Sequence, residues 1–136
     1  MALDKGLQGN ETIEKAILAL QEQTSQEMLA HALTVVRRRM KEGGQLIVAV
    51  DPSKASGQME VQILKTQDGR AWWAAFTSFE EEMKGSGAVM STFMADIRQL
   101  FEAAASEETI CGIIINPWDR TLMLNKALIR IVLGKE

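Results

Sequence analysis

The sequence has little of what most small-protein chemistry is built from. Its 136 residues include one cysteine, Cys111, and one histidine, His31. A lone thiol cannot close an internal disulfide, and a metal cluster of several thiolates is excluded. Positive charge is also short: 15 Lys and Arg against 18 Asp and Glu leave a net charge of −3. With a pI near 5.3, the chain does not read as a general nucleic-acid binder. No apolar run approaches the roughly 20 residues needed to span a bilayer. The opening MALDKGLQGNE has no apolar segment of the kind a secretory signal carries. Internal repeats and low-complexity tracts are absent. The expectation is a cytoplasmic protein without nucleic-acid or membrane partners. A hydrophobic content of 46% is enough for one domain with a real core.

What is present is organised around Thr109 to Gly134, TICGIIINPWDRTLMLNKALIRIVLG. Ile110, Cys111, Ile113, Ile114 and Ile115 form a nearly continuous apolar run, which suits a mid-sheet strand covered on both faces. Asn116-Pro117 breaks it, since Pro117 has no N–H for a ladder and Asn favours turns. Asp119-Arg120 continues the loop, and Leu122-Met123-Leu124 resumes extended chain. Asn125 is placed to cap a helix with Leu128, Ile129, Val132 and Leu133 inward and Gly134 as its stop.

The first ten residues read as an N-terminal arm, and residues 11–136 as a single domain. Asn10 is an N-cap candidate for a helix over 11–22, with Ile13, Ala16, Ile17 and Leu20 at helical spacing. Thr24 and Glu27 form a capping box for a second helix to Lys41, whose stripe is Met28, Leu29, Ala32, Leu33, Val36 and Met40. Arg37, Arg38, Arg39 and Lys41 fall in its last turns, where cations favour the helix dipole. QLIVAV over 45–50 is a strand. Gln58–Thr66 alternates with Met59, Val61 and Ile63 on one face, and Asp68-Gly69 turns it back into Ala71–Phe76. These three strands make a meander. Ser78 and Glu81 form a second capping box, and Ala88–Met90 is read as a short strand. Ser91 or Thr92 then caps a helix to about Ala105, with Phe93, Met94, Ile97, Leu100, Phe101 and Ala104 inward. The fold class is α+β: a compact domain with a mixed sheet of five to six strands packed by helices.

Chemistry is harder to find. A Cys-His nucleophile would need Cys111 and His31, but the first lies in an apolar strand and the second in an ordinary helix, so Cys111 is expected to be a buried, inert core thiol. The acidic trio Glu80-Glu81-Glu82 belongs at a helix start and has no histidine beside it, so no metal is expected. Neither Gly43-Gly44 nor Gly85-Ser86-Gly87 makes a phosphate loop. Asp51 and Asp119 adjoin strand ends, where turn formation already accounts for them. The aromatic residues are the better lead. Trp72 and Trp73 face opposite ways on their strand, Phe76 sharing the side of Trp72. Trp73 must then lie under a helix or at the surface, and Trp118 sits in a turn.

Phe76-Thr77-Ser78, Gly112-Ile113-Ile114-Ile115-Asn116-Pro117 and the extended return into the Leu124–Leu133 helix together resemble the SseB amino-terminal domain family, named for enhanced serine sensitivity. The likeness runs over roughly residues 12 to 133. Two departures stand out: Trp118-Asp119-Arg120 occupies a turn where small residues are more usual, and the further C-terminal domain of some relatives is not among these residues. The resemblance implies an α/β domain with no established enzymology and supplies no catalytic residue and no cofactor.

The function expected is that of a small cytoplasmic, non-enzymatic protein-interaction module. Its contact surface is assigned to Asn116, Trp118, Asp119 and Arg120, with Trp73 as a further candidate. The partner is a protein, and a homodimer is one arrangement open to it. The alternatives are a metabolite-binding domain tied to amino-acid metabolism through the family's name, or an enzyme of unrecognised type using Asp51, Asp119 or Arg120.

Overall fold

The computed structural model describes residues 7–50, 63–78, 81, 91–117 and 121–134. Two helices come first, α1 (Glu11–Glu22) and α2 (Gln26–Lys41), followed by β1 (Gln45–Val50). Next are β2 (Ile63–Lys65), β3 (Ala71–Phe76) and β4 (Ser91–Asp96), then α3 (Ile97–Ser106). The chain ends with β5 (Gly112–Ile115), β6 (Leu122–Asn125) and α4 (Lys126–Leu133). The six strands form one mixed sheet in the order β4-β1-β3-β5-β6, with β2 paired to β3 beside that path. Among the described residues only β3 and β5 pair in parallel. The domain is α+β, as its sequence predicts.

Local chemistry explains most boundaries. Ser25, one residue after the Thr24 of the expected box, caps α2 by accepting from the Met28 amide at 3.1 Å. Thr24 instead donates back to the Leu20 carbonyl at 3.1 Å. Asn125 Oδ1 accepts from the Leu128 amide at 2.9 Å and caps α4 as expected. In the β2–β3 hairpin the Thr66 amide donates to the Arg70 carbonyl at 2.9 Å, and the Gly69 amide donates to the Thr66 carbonyl at 2.9 Å. The Thr66 hydroxyl donates to the Asp68 carboxylate, which holds that carboxyl below its ordinary 3.8; the Arg70 amide adds to the effect. Ser78 Oγ accepts from the Glu81 amide at 3.2 Å, the cap expected there.

Three expectations are corrected. Residues 91–96 are a strand, not the first turns of a helix: β4 pairs with β1 along all six residues, from Gln45 with Asp96 to Val50 with Ser91. Phe93 therefore points to the helix-covered face while Met94 packs on the other. The meander is also replaced, because β1 pairs with β3 and β4, and β2 pairs with β3 alone among the described residues. Ile63, placed on the apolar face of an alternating strand, is left exposed at the sheet's rim opposite Trp73, whereas its neighbour Leu64 packs against the smaller cluster opposite Trp72. The stretches 51–62 and 82–90, with Asp51, Met59, Val61 and the Ala88–Met90 strand, lie outside the described residues.

Among the described residues the four helices α1 to α4 bury their apolar stripes against one face of the sheet. That core joins Ile13, Ile17, Val36, Phe101, Ile129 and Val132 to Val48, Ala75, Ile113, Ile115 and Leu124. Ile47, Ala49, Ala74 and Phe76 form a smaller cluster on the opposite face, where Leu7 of the arm also packs. Every residue of β5 is buried, which fits its mid-sheet place between β3 and β6. Cys111 is different: it lies in a bend just before β5 and is only half-buried, so it is not the enclosed core thiol its sequence context suggests. The chain there is already in the ladder, since the Cys111 amide donates to the Ala71 carbonyl at 2.8 Å. Ile114 is buried but belongs to neither cluster. Its replacement by alanine is accordingly expected to cost about 2–3 kcal/mol, the lower part of the large-to-small range. A denaturation midpoint equal to the parent's would contradict the buried placement of Ile114.

Candidate functional site

Where β3 and β5 end side by side, the chain turns at Thr77 and at Asn116. Parallel strand ends are where open α/β sheets place their ligands. Here that position is occupied by the protein itself. Asn116 adopts φ 54°, the left-handed conformation that Asn tolerates better than other side chains. Its amide donates to the Ala75 carbonyl at 2.8 Å, extending the ladder by one residue. Its side chain is wholly buried and reads Thr77 twice: Oδ1 accepts from the Thr77 amide at 2.9 Å, and Nδ2 donates to the Thr77 hydroxyl at 3.0 Å. The hydroxyl passes its own proton on to Glu14 Oε2 of α1, at 2.6 Å. Across the loop, the Thr121 hydroxyl donates to the Asn116 carbonyl at 2.7 Å.

A second set of bonds continues from Thr77. Asn10, which the sequence offers as an N-cap, makes no capping bond from its side chain. It is buried, and its Nδ2 bridges two carbonyls, those of Gln45 at 2.8 Å and Thr77 at 3.1 Å. Its Oδ1 accepts from Arg39 Nε at 3.1 Å. Arg39 thus differs from Arg37, Arg38 and Lys41. They lie exposed on α2, while its guanidinium turns inward and holds Glu42 at 2.9 Å. Gly44 makes room for this, because a Cβ there would stand 2.9 Å from Arg39 Nη2. Gln45 also reaches β4, its Nε2 donating to Asp96 Oδ1 at 3.0 Å. One end of the sheet is therefore tied through polar side chains to the start of α1 and the end of α2.

The expected site residues fall in different places. Asn116 is at the centre of this network, buried, and acts on the turn rather than at the surface. Trp73 is half-buried on the helix-covered face, paired with Ile113, three residues before Asn116. That puts it roughly 10 Å back along the strands at about 3.3 Å per residue. Trp118, Asp119 and Arg120 lie outside the described residues. Among the described residues no group of three His, Cys, Asp or Glu side chains is placed to hold a metal ion. Among them, too, no helix is long and apolar enough to cross a membrane.

Asn10, Glu14, Arg39 and Thr77 are the network residues that sequence reasoning passed over. One signal was available: Arg39 occupies a stripe position of α2, at helical spacing from Val36 and beside Met40. A charged residue on an apolar stripe calls for a buried partner.

No curated protein and no solved structure matches the chain. A family comparison does, and covers α1 through most of α4. The sequence matches the SseB protein N-terminal domain over residues 13–130, and the chain belongs to that family.

Proposed function

We propose that this SseB-type domain is a small, non-enzymatic protein-interaction module of the cytoplasm, and that its contact surface is the segment Trp118, Asp119 and Arg120 carried beyond Asn116. The observation that supports the reading is the anchoring of the residues on either side of that segment. Asn116 is locked to Ala75 and Thr77, and Thr121 is bonded back to the Asn116 carbonyl. Short loops held on a rigid scaffold are where binding residues concentrate. The sequence puts a large aromatic ring and one charge of each sign into this loop, a composition suited to a contact centre. The polar side chains at the strand ends argue against a substrate pocket there. Asn10, Thr77 and Asn116 spend their donors and acceptors on one another and on the backbone.

The test is affinity capture of the partner, its identification, and a binding titration with the purified partner. Trp118→Ala is expected to keep the parental denaturation midpoint while weakening the complex by at least about 2 kcal/mol, as loss of an aromatic anchor does. Arg120→Ala should weaken it mainly at low salt. A Trp118→Ala variant that binds as the parent does would overturn the assignment and make Trp73 the next residue to examine. A melting shift with free amino acids, and no protein partner, would favour the metabolite-binding alternative instead.

A further inference from the structure

On the outer side of the helix layer, α2 and α4 leave a shallow groove. One stretch of about 280 Å³ is lined by Ala30, Leu33, Arg37, Ile131 and Val132. It continues along α2 into a second stretch of about 310 Å³ bounded by Arg37, Arg38 and Lys41. The floor is apolar. Ile131 is 53% exposed, more than Leu18, Ile63 or Met123, the other large apolar side chains left at the surface among the described residues. The rim is cationic. Arg37 lies against the C-terminal end of α4, its guanidinium 3.1 Å from where a Gly134 side chain would begin. That placement serves the helix dipole. Among the described residues Arg38 and Lys41 have no such partner: no ion pair or side-chain hydrogen bond joins them to another side chain there. A chain with net charge −3 thus gathers three cations beside its most exposed isoleucine.

We infer that this groove docks an acidic amphipathic helix of a partner protein, with apolar side chains against Ile131 and Leu33 and carboxylates along Arg37, Arg38 and Lys41. Two observations choose this occupant. The three cations on one rim complement a row of carboxylates, and a helix laid in a groove presents such a row beside an apolar stripe. A membrane surface fits less well, since interfacial binding requires a broad apolar face and this groove offers one exposed large side chain. This surface is separate from the loop after Asn116, and the inference stands without that assignment.

The experiment uses the full chain and a fluorescent designed helix, Glu-rich with Leu at every fourth position, followed by anisotropy. A second peptide carries Lys in place of each Glu. Vesicles of phosphatidylserine with phosphatidylcholine and a sedimentation run on the protein alone complete the set. The acidic peptide is expected to saturate and the basic one to show no binding. Arg38→Ala with Lys41→Ala should weaken the acidic peptide about tenfold or more at low salt and flatten its salt dependence. Ile131→Gln should weaken it severalfold at every salt concentration, with the melting midpoint kept. Equal binding of the two peptides, or variants that bind as the parent does, would overturn the inference. So would capture by anionic vesicles without capture of the peptide, or self-association that these substitutions abolish.

Discussion

Gly112→Ala is expected to destabilise the domain by about 5 kcal/mol or more, the largest effect of adding one methyl group at any glycine among the described residues. A Cβ built on Gly112 would stand 2.0 Å from the Leu124 carbonyl oxygen and 2.9 Å from the Asn125 Cα. Both are backbone atoms, so no side chain can rotate away. The crowding arises because β6 passes directly into α4 at this point. Gly112 pairs with Asn125, and the Cys111 carbonyl accepts from the Lys126 amide at 3.1 Å. Relief would require β6 and the start of α4 to lift off β5, breaking the ladder that buries Ile113 and Ile115. Overpacked cores usually cost about 1–3 kcal/mol because side chains give way; here the neighbour cannot. Native domains hold about 5–15 kcal/mol in total, so the variant should lose about a third or more of its stability. A urea titration followed by tryptophan fluorescence reads this directly. Ile113→Val, which trims a methyl from the next residue without a clash, should cost only about 1 kcal/mol. Similar midpoints for the two variants would show that β6 is free to move and that the close approach is not binding.

The sequence discloses such a glycine only halfway. Glycine inside a β-branched run signals a close approach of some other backbone, but not which one. The approaching strand lies twelve residues on, across a turn whose geometry the run does not contain. The helices and β5 were legible for a related reason: their stripes and apolar runs record burial against something, whatever that something is. β4 was not. Phe93 and Met94 stand at helical spacing from Ile97, Leu100 and Phe101, so in the sequence the α3 pattern begins early. Only pairing with β1 settles those six residues as a strand, and pairing is a nonlocal fact. The same limit governs the polar network. Thr77 and Asn116 are separated by 39 residues, and Asn10 and Thr77 by 67. Each is separately an ordinary turn or cap residue. Nothing in either neighbourhood says that they meet.

Asn10 gives that network its sharpest test, because the two readings of this residue predict different magnitudes. As an N-cap it would contribute about 1 kcal/mol. As the observed bridge it supplies a donor to two carbonyls and an acceptor to a buried arginine. Asn10→Ala leaves all three groups short of a partner in a site that water does not freely reach. An unsatisfied buried group costs about 1–3 kcal/mol, so a total near 4 kcal/mol is expected. Asn10→Asp separates the two halves of the role. An aspartate still accepts from Arg39, and as an N-cap it would be as good as asparagine. It cannot donate to the Gln45 and Thr77 carbonyls, and a carboxylate set about 3 Å from two carbonyl oxygens is repelled by both. The bridge therefore predicts that Asn10→Asp recovers little of the loss at neutral pH, whereas the cap predicts near-parental stability. Arg39→Met, which fills much of the same space, leaves the buried Asn10 acceptor without its arginine while the half-exposed Glu42 turns to water, and should fall between, at about 2 kcal/mol. Denaturation midpoints of the three variants decide the matter. An Asn10→Asp protein as stable as the parent would mean that the two carbonyls find other donors, and that this end of the sheet is held by the Thr77–Asn116 pair alone.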